Sequence, residues 1–156
     1  MTNMTQQKQD AGNTNENFSS SNNFEYQFLQ GKKFYVTHTI VGSDAATAGN
    51  YGVFFINQIG ACYISGFWEV HQTAGNDGGA VTLDLEKLTG TQALDAGTST
   101  LSAALSLKAT ANTVQTATMT ATNSNRNLAI GDRLALKDTG ALTNVNNVTI
   151  IIEITI

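Results

Sequence analysis

From Lys32 onward, hydrophobic side chains recur at every second position, in short runs broken by glycine and asparagine. KKFYVTHTIV, residues 32–41, sets Phe34, Val36, His38 and Ile40 against Tyr35, Thr37, Thr39 and Val41, the period of a strand with one buried face. GSDAATAGN then supplies loop residues, and YGVFFIN, 51–57, follows as a run apolar on both faces. In CYISGFWEVHQT, 62–73, unbroken alternation sends Cys62, Ile64, Trp68 and Val70 inward and Tyr63, Ser65, Phe67, Glu69 and His71 outward. AVTLDLEKL, 80–88, sets Val81, Leu83 and Leu85 against Thr82, Asp84 and Glu86. NVTIIIEITI, 147–156, turns Val148, Ile150, Ile152, Ile154 and Ile156 inward, with Thr149, Ile151, Glu153 and Thr155 on the other face. Further strands are expected at 103–108, 113–122 and 133–137. A helical period shows only weakly, in QALDAGTSTLSAAL, where glycine and β-branched residues undercut it. Short strands with a turn about every ten residues predict an all-β fold, an antiparallel β-sandwich of jelly-roll type, over residues 24–156.

The first 23 residues have another texture, nearly all Thr, Asn, Gln, Ser and small side chains, with Phe18 the sole aromatic before Phe24. Such a segment buries too little apolar area to offset the entropy of ordering, so alone it is expected to be a disordered, extended arm. It is expected to hold one conformation only when it lies against another protein.

Composition sharpens this picture. Of 156 residues only 13% are charged, against about 25% in an average chain, and there is no proline beside 14 glycines. A surface of neutral hydroxyls and amides can be packed against protein with little desolvation of ions, which favours assembly. The net charge of −4 and the absence of a Lys/Arg cluster argue against nucleic acid; the adjacent Lys32 and Lys33 read as a solvated strand start. Cys62 stands alone, so no internal disulfide forms, which fits synthesis in a reducing compartment. The opening residues carry no apolar signal core, and no run approaches the ~20 apolar residues of a membrane span.

Candidate chemistry is thin. Asp77, Asp84, Glu86 and Asp95 crowd into AGNDGGAVTLDLEKLTGTQALDAG. A glycosidase pair needs two carboxylates facing each other across a cleft, one buried enough to stay protonated. Asp84 and Glu86, two apart on one strand face, are expected to be solvated, while Asp77 and Asp95 fall in turns. A structural cation is the nearer alternative, but the D-x-D-x-D loop with its closing glutamate is missing. His38 is expected in or near the core, His71 on a polar face beside Glu69, and Cys62 as a small buried hydrophobe. The three share no spacing that suits zinc. No catalytic residue, cofactor or metal is expected. The surplus apolar faces at YGVFFI and Ile151 belong either to strands central between two layers or to contact with another subunit, and Phe67 with Tyr63 points to contact with other protein. Phe18, Phe24, Tyr63 and Phe67 are the candidate partner-binding residues.

Three segments carry a resemblance: NYGVFFINQIGACYISGFWEVHQTAGNDGGAVTLDLEKLTGTQALDAG, LKATANTVQTATMTAT and NLAIGDRLALKDTGALTNVNNVTIIIEI. Together, over about two-thirds of the chain, they resemble the capsid decoration or cement proteins of tailed bacteriophages, with related head-fibre heads. The resemblance implies a non-enzymatic structural protein of the virion. It further implies a homotrimer on the outer surface of the capsid, assembled in the host cytoplasm, with the major capsid protein as partner. It transfers no functional residue. A head-fibre or carbohydrate-binding β-sandwich that mediates adhesion to the host surface is the alternative. Its aromatic platform would have to come from Tyr51, Tyr63, Phe67 and Trp68, the last expected to point inward. A glycan-cleaving enzyme lacks a nucleophile–base pair, and a major capsid protein fits poorly with 156 residues and no long helical pattern.

Overall fold

The computed structural model of the protein describes residues 31–43 and 52–156, so the polar arm, Phe18, Phe24 and Tyr51 lie outside the described residues. Among the described residues ten strands follow one another: β1 (Lys33–Ser43), β2 (Val53–Ile56), β3 (Cys62–Val70), β4 (Thr82–Leu88), β5 (Thr98–Ser99), β6 (Leu105–Ser106), β7 (Gln115–Thr116), β8 (Asn127–Leu128), β9 (Arg133–Thr139) and β10 (Asn146–Thr155). One four-residue helix, α1 (Asn123–Arg126), precedes β8. The first sheet runs β1-β10-β3-β7, with β8 also paired to β3. The second runs β2-β9-β4-β5, with β6 also paired to β4. Every pairing is antiparallel. The first four strands pass alternately from one sheet to the other, as β9 and β10 do, which is the winding of a jelly roll. The antiparallel sandwich expected from the alternation is therefore the fold.

Between the sheets lie Ile64, Phe67, Leu83, Leu85, Leu134, Leu136, Ile150 and Ile152, all fully buried. β10 keeps its parity throughout: Val148, Ile150, Ile152 and Ile154 are buried, while Ile151 emerges on the far side. At the open edge, His38 of β1 stacks on Phe54 of β2 at 5.2 Å, tying one sheet to the other. β2 is an edge strand, and a register shift between Val53 and Phe55 lets the neighbouring Phe54 and Phe55 both pack against the core. Val53 and Ile56 stay exposed, which accounts for the run's apolar character on both faces.

β3 departs from the expected parity. Its pairing with β10 runs in step from Thr149↔Val70 to Glu153↔Gly66, then slips so that Ile154 meets Ile64. Ser65 is the extra residue of a β-bulge, and one extra residue exchanges the two faces of all that follows. Phe67, Glu69 and His71 thus turn inward with Cys62 and Ile64, and all five are buried. Trp68 and Val70 turn outward. The expectation that Phe67 and His71 face out and Trp68 faces in is overturned. The strands expected at 103–108 and 113–122 shrink to β6 and β7, with one isolated bridge at Leu101↔Met119.

Candidate functional site

The acidic cluster is built into loops. Glu86 is buried and not solvated as its strand position suggests, because residues 89–97 fold back over it. Its Oε1 accepts the Asp95 N–H at 2.7 Å and its Oε2 the Gly97 N–H at 2.9 Å. Other bonds hold the same loop. Gln92 accepts the Thr89 N–H at 2.7 Å and donates to the Ala96 carbonyl at 3.1 Å. Arg133 donates to the carbonyls of Gly90 at 3.1 Å and Gln92 at 2.7 Å. Asp95, at a positive φ of 68°, pairs with Lys137 at 2.5 Å. Asp84 Oδ1 accepts from Ser99 Oγ and from the Leu85 N–H, both at 2.8 Å, and burial pushes its carboxyl upward against those bonds. The backbone carbonyl of Asp77 takes the Lys108 ammonium at 2.8 Å. These carboxylates close turns and leave no opposed pair across a cleft.

Glu69 and His71 form the second polar group. Both side chains are wholly shielded from solvent, with Nδ1 of the ring 2.9 Å from Glu69 Oε1. The ring's Nε2 lies 3.0 Å from the Ala109 carbonyl, which can only accept, so Nε2 carries a hydrogen. A single further proton then lies between Nδ1 and Oε1. Gln115 donates to Glu69 Oε2 at 2.5 Å and to the Ser106 carbonyl at 3.0 Å. Burial raises the Glu69 carboxyl, and its bonds to His71 and Gln115 oppose that rise. Both side chains are buried, and together they brace β3 against the 106–115 segment. Cys62 is likewise buried, its thiol pushed up by burial and then by the Asp132 charge. Among the described residues no three His, Cys, Asp or Glu side chains converge as a metal set.

The outer face of the first sheet is different, because its aromatic groups meet solvent. Register places Tyr35, Glu153 and Gly66 in one row across β1, β10 and β3, and Thr37, Ile151, Trp68 and Thr116 in the next. Glu153 is the hub: Oε2 accepts the Tyr35 hydroxyl at 2.9 Å, and Oε1 accepts Ser65 Oγ at 2.7 Å and the Lys33 ammonium at 3.0 Å. These bonds, that from Ser65 foremost, hold the Glu153 carboxyl below its usual range, and the same carboxylate raises Lys33 and Tyr35. The end of the Trp68 indole lies close over Gly66: a Cβ built there would fall 2.4 Å from the indole Cη2. The Tyr35 and Trp68 rings stand 6.5 Å apart with their planes at 50°. Tyr35 is 61% exposed and Ile151 38%. Tyr63, 40% exposed, sits at the end of this face opposite Thr155.

Of the residues expected to meet partners, Tyr63 is thus on the surface, Phe67 is in the core, and Phe18 and Phe24 lie outside the described residues. Alternation placed Tyr35 outward correctly but hid Trp68, whose exposure follows from the bulge; the signal was Ser65-Gly66 inside a strand.

No protein-family model and no curated protein matches the sequence. Among solved structures, a chain of the capsid of Ralstonia phage GP4 shares the architecture with a TM-score of 0.56, over 81% of this chain and 85% of that one, at 16% identity. At that identity the two chains are alike in fold.

Proposed function

We propose that this protein is a non-enzymatic structural protein of a phage virion, which decorates and cements the outer surface of the capsid. The observation that carries the reading is the likeness of its jelly roll to a phage capsid chain over more than four-fifths of both chains. The sequence resemblance to decoration proteins points the same way. So does the chemistry: the carboxylates are spent on loops, and the shielded Glu69–His71 pair has no access to a substrate.

The mechanism follows from linkage. A protein that binds only the assembled shell stabilises that state, by a few kcal/mol per site when it is in excess. In the proposal, residues 1–23 grip the major capsid protein by adding main-chain hydrogen bonds to exposed sheet edges, with Phe18 and Phe24 as apolar anchors. Association into a homotrimer would hold three such arms together and raise their joint affinity through effective concentration. Tyr63 is the surface residue assigned to protein contact. Quantifying occupancy on particles after deletion of residues 2–22 tests the arm, with a loss of occupancy expected; unchanged occupancy removes the arm from the mechanism. Sedimentation of the isolated protein tests the trimer, and a monomer at all concentrations rules it out.

A further inference from the structure

We propose that the outer face of the first sheet is a binding platform for a neutral saccharide, with Trp68 and Tyr35 as its stacking surfaces. The argument starts from the bulge. By adding Ser65, the strand turns its tryptophan out of the core, where an indole would bury well, and sets it on the solvent side. Glycine at 66 leaves room for the end of the indole close to the backbone, and Trp68 stays half-buried on the solvent side of the sheet. A partly exposed flat ring suits the C–H face of a pyranose, which is apolar and slightly electropositive.

Tyr35 supplies the second wall. Its hydroxyl is fixed by Glu153, which is itself fixed by Ser65 and Lys33, so the phenol is held in place although its ring is mostly exposed. Rigid, exposed aromatic groups lose little entropy on binding. The 6.5 Å between the ring centroids is of the order of one sugar repeat in an extended glycan, and the two rings are inclined to each other by 50°. The row of Trp68 also carries hydroxyls: Thr116 beside it and Thr37 beyond Ile151, both exposed. Lys33 and Glu153 neutralise each other in a 3.0 Å pair, so the face presents no net charge to a ligand there. That balance selects an uncharged sugar over an acidic one. A protein partner fits less well. A stable interface needs roughly 800 Å² per side around an apolar centre; here Ile151 and, at the end of the face, Tyr63 are the apolar additions to the two rings, and threonines and an ion pair share the same face.

The chain contains one tryptophan, and it lies at the proposed site, so intrinsic fluorescence reports on that site alone. The full chain is first applied to a printed array of neutral and anionic glycans, then titrated with the glycans that bind while Trp68 emission is followed. The expected result is binding of neutral glycans, with a saturable blue shift. Affinity should fall about threefold to tenfold in Tyr35→Ala, the size of one lost aromatic contact. Tyr35→Phe, which keeps the ring, should retain most of the binding, and melting curves establish that both variants are folded. Silence across the array overturns the proposal, as does binding confined to anionic glycans. It is equally overturned if Tyr35→Ala leaves glycan affinity unchanged, or alters the sedimenting species and not the glycan response. The experiment needs no virus particle, so its outcome is independent of whether the protein decorates a capsid.

Discussion

Replacing His71 by alanine isolates the buried brace between β3 and the 106–115 segment. In the intact protein Glu69 has two side-chain partners, the His71 ring at 2.9 Å and the Gln115 amide at 2.5 Å, and no exposure. Truncation removes the first partner, opens a cavity the size of an imidazole, and leaves the Ala109 carbonyl without its donor. Removing one member of a buried pair costs about 3–5 kcal/mol, a large fraction of the ~5–15 kcal/mol that holds a domain together. The loss also depends on pH with a defined sign. Burial already raises the Glu69 carboxyl, and without the ring that opposed the rise it goes higher. A group whose folded pKa exceeds its unfolded value of about 4.3 contributes its stability in full below that value and loses it as pH rises through the folded pKa. The deficit of His71→Ala relative to the parent should therefore be smallest near pH 4 and grow toward pH 7. Urea unfolding of both proteins, followed by circular dichroism at intervals between those limits, measures the difference directly. Adding Glu69→Gln to the variant should flatten the pH dependence. A deficit under about 1 kcal/mol at pH 7, or one that does not change with pH, would refute the account.

Other expectations are simpler. Phe67→Ala should lose about 3–5 kcal/mol in urea unfolding, as a core aromatic does, while Tyr63→Ala should stay within about 0.5 kcal/mol; the reverse order would restore the uninterrupted parity of β3. Gly140 has a φ of +86° and a built Cβ would stand 1.8 Å from the Ala80 carbonyl, so Gly140→Ala should cost at least ~2 kcal/mol by the same assay. Gly66→Ala would set a Cβ 2.4 Å from the Trp68 indole, so the ring must shift; it should cost about 1–3 kcal/mol while moving tryptophan emission to the red. Glu153 titrates with the opposite sign to Glu69: its lowered folded pKa gives stability above the unfolded value that is lost as pH falls through the folded one. Glu153→Gln should accordingly narrow the acid-side decline in melting temperature, and an unchanged decline would remove Glu153 from it.

The sheets were legible wherever alternation ran unbroken. Val148, Ile150, Ile152 and Ile154 face inward as their spacing demands, and Phe34, Val36 and Ile40 of β1 do the same. Parity is a one-bit code, however, and an inserted residue in a strand flips it without changing composition, which is how Phe67 and Trp68 exchanged places. Glu86 misled for another reason: the residues that cover it, Asp95 and Gly97, come from the following loop, and strand periodicity contains no information about loops. β5, β6, β7 and β8 are two residues each, too short for any period to register. Sequence spacing showed neither the Tyr35–Trp68 pair beside Glu153 nor the brace at His71, because each joins residues far apart in the chain through register.

The loop folded over Glu86 has a practical consequence. Its carbonyls and amides are held by the Glu86 carboxylate, the Gln92 amide and the Arg133 guanidinium, although it contains no proline. Proteases nick exposed loop tips that can be drawn out into an extended strand, and drawing out this one means stripping the buried Glu86 carboxyl group of both its amides. A protease of broad specificity, able to cut at Ala93, Leu94 or Ala96, should leave it whole. A peptide tag grafted there would sacrifice that anchorage, so a display engineer should look elsewhere on the sandwich.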